Sequence, residues 1–215
     1  MCSAKRGDDV PYFPFFVDIG GKRCLIVGGG RIALHKIRKL LPFSPEIHVV
    51  SPEICGGIAD IPGLFIERRR FQPTDLDGAF FVIAATDRPE VNSEISRLCR
   101  SRGIPCNAVD NPADCSFYFP ALAQRGDITV GVSTSGKSPL IAAGLRREAE
   151  RLVTPELAEI CALMGEIRPA VRERFPEEKR RAVAMKAALG FCMSLETIPD
   201  SGELLKFIDG LELKI

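Results

Sequence analysis

The residues of this chain that could do chemistry fall in separate stretches. In Arg23-Cys24-Leu25-Ile26-Val27-Gly28-Gly29-Gly30-Arg31-Ile32-Ala33, a short apolar run feeds a glycine triplet and then a helical pattern. Gly28, Gly30 and Ala33 fill a G-x-G-x-x-G/A fingerprint: the first glycine permits a tight turn, the second lets backbone approach a pyrophosphate, and the third small residue lets helix and strand pack closely. A bare glycine turn between strand and helix would also account for it. Asp110 follows an apolar strand at the edge where ligands gather, with no histidine nearby to compete for a general-base role. A carboxylate in a partly desolvated cleft can have its pKa raised enough to shuttle a proton. Asp110-Asn111-Pro112 is equally a turn in which Asp bonds its own backbone. Gly131 to Ser138 matches the spacing of a phosphate-binding G-x-x-x-x-G-K-S loop. Val132 and Ser133, however, read as strand, and no acidic strand end follows. Ser135, Gly136, Lys137 and Ser138 are therefore expected to contact an anionic substrate, or only to open a capped helix.

The elements that must position these groups follow from hydrophobic periodicity. Cys24–Val27 and Ile47–Val50 read as buried strands around a helix from Ile32 to Leu41, a βαβ unit. Leu64–Arg68 and the apolar run Ala79–Ala84 are further strands. The second ends in Ala85-Thr86-Asp87, where small residues would let a dinucleotide cross and where Thr86 and Asp87 could meet its ribose or cap the next helix. That helix spans Pro89 to Arg102 and stops at Gly103. Ile104–Val109 is a strand that delivers Asn107 and Asp110 to the ligand edge. After Pro112 the pattern changes to a hairpin, Ser116–Ala123 and Ile128–Ser133, joined by Gln124 to Asp127. A helix follows from Ser138 and Pro139 to about Val153, and a second start signal stands at Thr154-Pro155. The rest is helical and charged, with breaks expected at Pro169, Pro176 and Gly190. The aromatic lead-in, Pro11 to Val17, is expected to pack on the sheet edge. The fold class is thus α/β: a Rossmann-like parallel-sheet domain over 1–113, a small α+β module over 114–153 and a helical domain over 154–215.

Totals bound the function. With 215 residues, 29 basic and 28 acidic, the net charge is +1, so no global field points to nucleic acid or an anionic membrane. No apolar run is long enough to cross a bilayer and the first ten residues are polar, so a cytoplasmic protein is expected. Eight cysteines without a C-x-x-C pair, beside only two histidines, predict buried reduced thiols and no metal site. His35 is expected to be exposed, and Arg68-Arg69-Arg70 a solvated run. Arg146, Arg147 and Arg151 are expected to pair at the surface with Glu148 and Glu150. The second strand ends in Val50-Ser51 with Glu53 two residues beyond, which leaves NAD and NADP both open.

Taken together, Gly28-Gly29-Gly30-x-x-Ala33-x-x-Lys36, Val49-Val50-Ser51-Pro52-Glu53, Ala84-Ala85-Thr86-Asp87, Asn107-Ala108-Val109-Asp110-Asn111-Pro112, Phe117-Tyr118-Phe119-Pro120 and Ser133-x-Ser135-Gly136-x-Ser138-Pro139 resemble the precorrin-2 dehydrogenase / sirohydrochlorin ferrochelatase family, the amino-terminal half of siroheme synthase. The resemblance implies NAD-dependent oxidation of precorrin-2 to sirohydrochlorin and, in some members, insertion of ferrous iron by the same site. It implies Asp110 as general base, and cofactor contacts on Gly28, Gly29, Gly30, Arg31, Ile32, Pro52, Glu53, Ala85, Thr86 and Asp87. A homodimer built through about Asp114 to Val153 is implied as well. The methyltransferase half of the fused enzymes is expected to be absent, and Thr134 stands where some relatives have a phosphorylated serine. Basic side chains should meet the substrate's carboxylates, with Lys137, Arg146 and the tail arginines as candidates. The competing class is a non-enzymatic NAD-sensing regulatory module; its marks, an acid at the second strand end and a basic helix-turn-helix, are not visible.

Overall fold

The computed structural model describes residues 12–109 and 111–211, which form two compact units, one from Pro14 to Phe119 and one that joins residues 12–13 to residues 120–211. In the first, β1 (Arg23–Val27), β2 (Glu46–Val50), β3 (Phe65–Glu67), β4 (Phe81–Ala84) and β5 (Cys106–Ala108) make an all-parallel sheet in the order β3-β2-β1-β4-β5. Helices α1 (Arg31–Leu40), the single turn α2 (Gly56–Ala59) and α3 (Pro89–Ser101) connect the strands. Cys24 and Ile26 of β1 join the core that holds Ala33, Ile37 and Leu40 of α1. Leu25 and Val27 point the other way, into a second core with Ile95 and Cys99 of α3. After Arg23, strand β1 is an unbroken apolar run, Cys24 to Val27, because both its faces are covered. Each fully buried Leu or Ile there contributes about 1.5–3 kcal/mol. Burial also pushes the Cys24 thiol up to about 12, so it stays protonated.

The order β2-β1-β4 contains the reversal that matters for function. The chain leaves β1 toward β2 on one side and returns to β4 on the other, so a crevice opens beyond the carboxyl ends of β1 and β4.

In the second unit, β6 (Ala121–Arg125) and β7 (Ile128–Val132) form an antiparallel hairpin across Gly126-Asp127, with Gly126 at φ +53°. Helix α4 (Pro139–Leu152) packs on both strands. Helices α5 (Pro155–Arg174), α6 (Glu178–Ser194) and α7 (Ser201–Asp209) share a core of Ile160, Leu163, Ile167, Ala184, Ala188, Leu204 and Ile208. The start signals at Ser138 and Thr154 are real caps, accepting from the Ile141 and Leu157 amides at 3.2 Å each.

Several expectations are corrected. Pro169 does not break its helix: α5 runs through it, because Ile167 and Val171 on either side are both anchored in the three-helix core. Gly190 lies inside α6 for the same reason, between buried Ala188 and Cys192. The residues from Ser116 to Pro120 are not strand. Phe117 and Phe119 alternate like one, but their rings pack on the α1-side core, and β6 begins only at Ala121. That packing is accompanied by the Ser116 amide donating to the Cys106 carbonyl at 2.8 Å, and both fall in the unit that runs to Phe119. The hairpin, α4 and the tail helices fall in one unit.

The lead-in does not pack on the sheet: Phe13, Phe15 and Phe16 are at least 72% exposed, and Ile19 is where the chain first meets the core. Pro11 lies outside the described residues. Within the arginine run, Arg68 and Arg70 are exposed, but Arg69 bridges Glu67 at 2.7 Å and the buried Asp75 at 2.6 Å. His35 is exposed, and Arg146 pairs with Glu150 and Arg151 with Glu148.

Candidate active site

Gly28 is the first residue beyond β1. Its φ of +122° suits glycine alone, its amide donates to the Val50 carbonyl at 3.0 Å, and a Cβ on it would stand 2.2 Å from the Ala85 carbonyl oxygen. Gly29 is equally constrained, which the fingerprint did not assign: a Cβ there would meet the Glu53 carbonyl oxygen at 2.0 Å, and its own carbonyl accepts from Cys55 at 2.9 Å. Gly30 is different. It is the N-cap of α1, and nothing lies within 4 Å of where its Cβ would stand. The first turn of α1 carries no acidic side chain and no side-chain cap, so its amides face an open cradle. Such a cradle, with the positive end of the helix behind it, fits a dinucleotide's diphosphate. Ala33 is fully buried, as close packing of α1 on β1 requires. Arg31 is exposed and Ile32 is 48% exposed beside the cradle.

The neighbouring strand ends are held by backbone and by one polar side chain. The Ala85 amide donates to the Val27 carbonyl at 2.7 Å. Thr86 neither caps α3 nor projects outward, since its hydroxyl donates to Asn92 Oδ1 at 2.7 Å and its amide reaches the same oxygen at 3.0 Å. Asn92 Nδ2 donates back to the Thr86 carbonyl at 3.1 Å. Asn92 is 4% exposed, and sequence reasoning missed it; the signal was a polar residue at helical spacing from Ser96 and Cys99 on the buried face of α3. Asp87 is exposed, as are Pro52 and Glu53 beyond β2.

Beyond β5 the Val109 amide donates to the Ala84 carbonyl at 2.9 Å, which brings the chain leading to residue 110 onto the glycine edge. Asp110 itself lies outside the described residues. Asn111 on its other side caps the following turn, its Oδ1 accepting from Ala113 at 3.2 Å and its Nδ2 donating to Asp114 at 2.7 Å. Asn107 is buried and braces the same loop, donating to the Phe117 carbonyl at 3.0 Å. A cavity of about 390 Å³ opens here, lined by Ile32, Lys36, Asn107, Val109, Asn111, Cys115 and Tyr118. Tyr118 donates to the Pro112 carbonyl at 2.9 Å. Cys115 donates to the Ala108 carbonyl at 3.1 Å; burial pushes its thiol up while Lys36 pulls it down.

Lys36, quoted in the sequence motif but given no role there, stands with its Nζ 4.2 Å from the Phe119 ring centroid. Burial and Lys39 lower its pKa, against an upward pull from Cys115.

Ser135, Gly136, Lys137 and Ser138 belong to the second unit. Their loop turns through Ser135 at φ +52° and Gly136 at φ +80° and is tied by Thr134, which accepts from Ser138 at 3.2 Å. It follows an antiparallel hairpin, not a parallel strand, so the G-x-x-x-x-G-K-S match is a capped helix start rather than a nucleotide loop. Among the described residues, no group of His, Cys, Asp and Glu could hold a metal ion.

A doubly wound sheet with an open glycine cradle at its reversal point defines a Rossmann-type dinucleotide-binding protein. Residues 15–121 match the model of a family described as "Putative NAD(P)-binding". The siroheme synthase of Pseudomonas entomophila (strain L48) is 37% identical over 173 residues, 79% of this chain and 37% of that protein. The siroheme synthase of Nitrosomonas europaea is 38% identical over 174 residues, with the same shares covered. The chain is thus similar, over 79% of its length, to part of these siroheme synthases, and its first unit carries an NAD(P)-binding fold. It spans 37% of the length of these relatives. Among solved structures, "SirC, precorrin-2 dehydrogenase" has the same fold, with a TM-score of 0.66 over 93% of this chain and 100% of that one, at 21% identity.

Proposed function

We propose that this chain catalyses the NAD-dependent dehydrogenation of precorrin-2 to sirohydrochlorin. The observation that carries the reading is the cavity beside the glycine edge, with Val109 and Asn111 on its wall flanking Asp110. NAD, when bound, supplies the hydride acceptor. Gly28, Gly29 and the amides of Gly30, Arg31 and Ile32 would hold its diphosphate, with Pro52 and Glu53 on the adenosine side and Ala85, Thr86 and Asp87 along the β4 end. Fixing the distant half of the cofactor in this way restricts where the reacting ring can lie. Asp110 accepts the proton that leaves the macrocycle as the hydride departs, so the products are sirohydrochlorin, NADH and a proton. Asn111 supports that role, because the capping of this turn is already done by its side chain.

Asn107 and the Ser135–Ser138 loop are further substrate residues in this reading. The name siroheme synthase borne by the relatives supports a second step on the same product, insertion of ferrous iron as substrate with Asp110 receiving the displaced protons. A homodimer through the hairpin and α4 is supported by the apolar side chains that α4 exposes, Leu140 at 85%, Ile141 at 59%, Leu145 at 53% and Leu152 at 75%. Light scattering should find a dimer that Leu145→Asp converts to monomer; an unchanged mass would remove that interface. No helix among the described residues is long and apolar enough to cross a membrane. The described cysteines are all unpaired thiols, which supports a reducing, cytoplasmic setting.

Absorbance tests the reaction. Protein incubated with precorrin-2 and NAD should yield the sirohydrochlorin spectrum with matching NADH. NAD binding without any spectral change would leave a nucleotide-sensing module instead.

A further inference from the structure

The geometry points to Lys36 as the side chain that receives a carboxylate of the substrate. This rests on the reading of the cavity as the tetrapyrrole site and names one of its contacts.

Lys36 lies one helical turn after Ile32, so both residues look from α1 into the same cavity. Opposite them stand Asn107, Val109 and Asn111, the residues that bracket Asp110. The ammonium is half-buried and rests on the Phe119 ring at 4.2 Å, which fixes the end of an otherwise flexible side chain. No carboxylate among the described residues lies within 4.0 Å of it. A cation kept partly out of water beside an aromatic face, with no acid among the described residues within 4.0 Å to neutralise it, is poorly solvated. Its lowered pKa reports the same strain. An incoming carboxylate relieves that strain, and the bond it forms is charge-assisted. Arginines and lysines on the exposed faces of the helices carry no comparable desolvation, and this separates Lys36 from candidates chosen by charge alone. A volume of about 390 Å³ takes an edge of a large macrocycle with an acidic side arm, so a single well-placed cation is what the cavity can use.

The test compares wild type with Lys36→Gln and Lys36→Arg. It measures kcat and KM for precorrin-2, the Kd for NAD, and the Kd for uroporphyrin III, a polycarboxylate tetrapyrrole that this reaction cannot oxidise. Lys36→Gln should raise the precorrin-2 KM and the uroporphyrin Kd about 10-fold or more, with kcat and the NAD Kd within twofold of wild type. Lys36→Arg should recover most of the loss. Should Lys36→Gln melt well below wild type, Lys36→Met replaces it, keeping the apolar stem over Phe119. Unchanged KM and uroporphyrin affinity in an enzyme that oxidises precorrin-2 would overturn the role of Lys36 alone. An equal loss of NAD affinity, or no recovery with arginine, would overturn it too, by marking the residue as structural. A wild type that neither oxidises precorrin-2 nor binds uroporphyrin would overturn the parent reading with it.

Discussion

Gly28 lies so close to Ala85 that a Cβ on the glycine would meet the alanine's carbonyl oxygen at 2.2 Å. Gly30, two residues on, has open space around the same position. The two glycines therefore fail differently. Gly28→Ala should lower stability by about 1–3 kcal/mol, through positive φ and backbone collision together, and weaken NAD binding as the β1–β4 crevice is forced apart. Gly30→Val should leave the melting temperature unchanged and weaken NAD binding alone. Thermal melts and NAD titrations of both variants separate the cases; equal destabilisation by both would contradict this assignment.

Asp110→Ala is expected to keep the NAD affinity of wild type and to lose about 10²–10⁴-fold in turnover, the range that a positioned proton acceptor supplies. Asp110→Asn should lose as much, since the amide cannot take the proton. Stopped-flow formation of NADH decides this, and wild-type rates in either variant would take the general-base role away from Asp110.

Asn92 touches no ligand in this reading, yet it holds three hydrogen bonds to Thr86 from inside α3. Asn92→Leu preserves the volume and strands the half-buried Thr86 groups, at a cost of about 1–3 kcal/mol. NAD affinity should fall as the loop loosens, while the precorrin-2 KM measured at saturating NAD changes little. Unaltered melting would mean that water replaces the lost amide.

A pH dependence follows from Asp75. Burial raises its pKa, but Arg69, which grips both oxygens at 2.8 and 2.6 Å, and the Gln72 amide at 2.8 Å together hold the carboxyl below its ordinary range. A carboxyl that is more acidic when folded adds stability above its unfolded pKa of about 3.9. That stability is lost as the pH falls through the lower folded value. Asp75→Asn should thus cost about 3 kcal/mol between roughly pH 5 and 8, and the gap from wild type should close below about pH 4. Urea melts at pH 7 and pH 3 check the sign. A gap that widens in acid would refute it.

Much of the first unit was legible because parallel strands buried on both faces are written as unbroken apolar runs, as at Cys24–Val27 and Phe81–Ala84. The misreadings have one cause, which is that local signals were overruled by distant partners. Phe117 and Phe119 alternate like a strand, but the core they fill is built by α1 and β4. Pro169 and Gly190 look like stops until the neighbouring helices supply a reason to continue. Arg69 reads as one solvated cation among three, whereas its partner Asp75 arrives only when the chain turns back. At the site, the fingerprint located the glycine turn but missed the demand on Gly29, because the Glu53 carbonyl that imposes it follows a different strand. Lys36 and Asn92 stood at readable helical spacings. What the sequence withheld was the wall each would face.

The first unit is one uninterrupted length of chain, from Pro14 to Phe119. During synthesis every strand it needs is therefore made before the hairpin and α4. The nucleotide cradle is expected to form while the helical unit is still being translated, and NAD present in the cell would then act on the nascent protein as a folding ligand. Protease resistance of stalled chains, with and without NAD, would reveal that order of events.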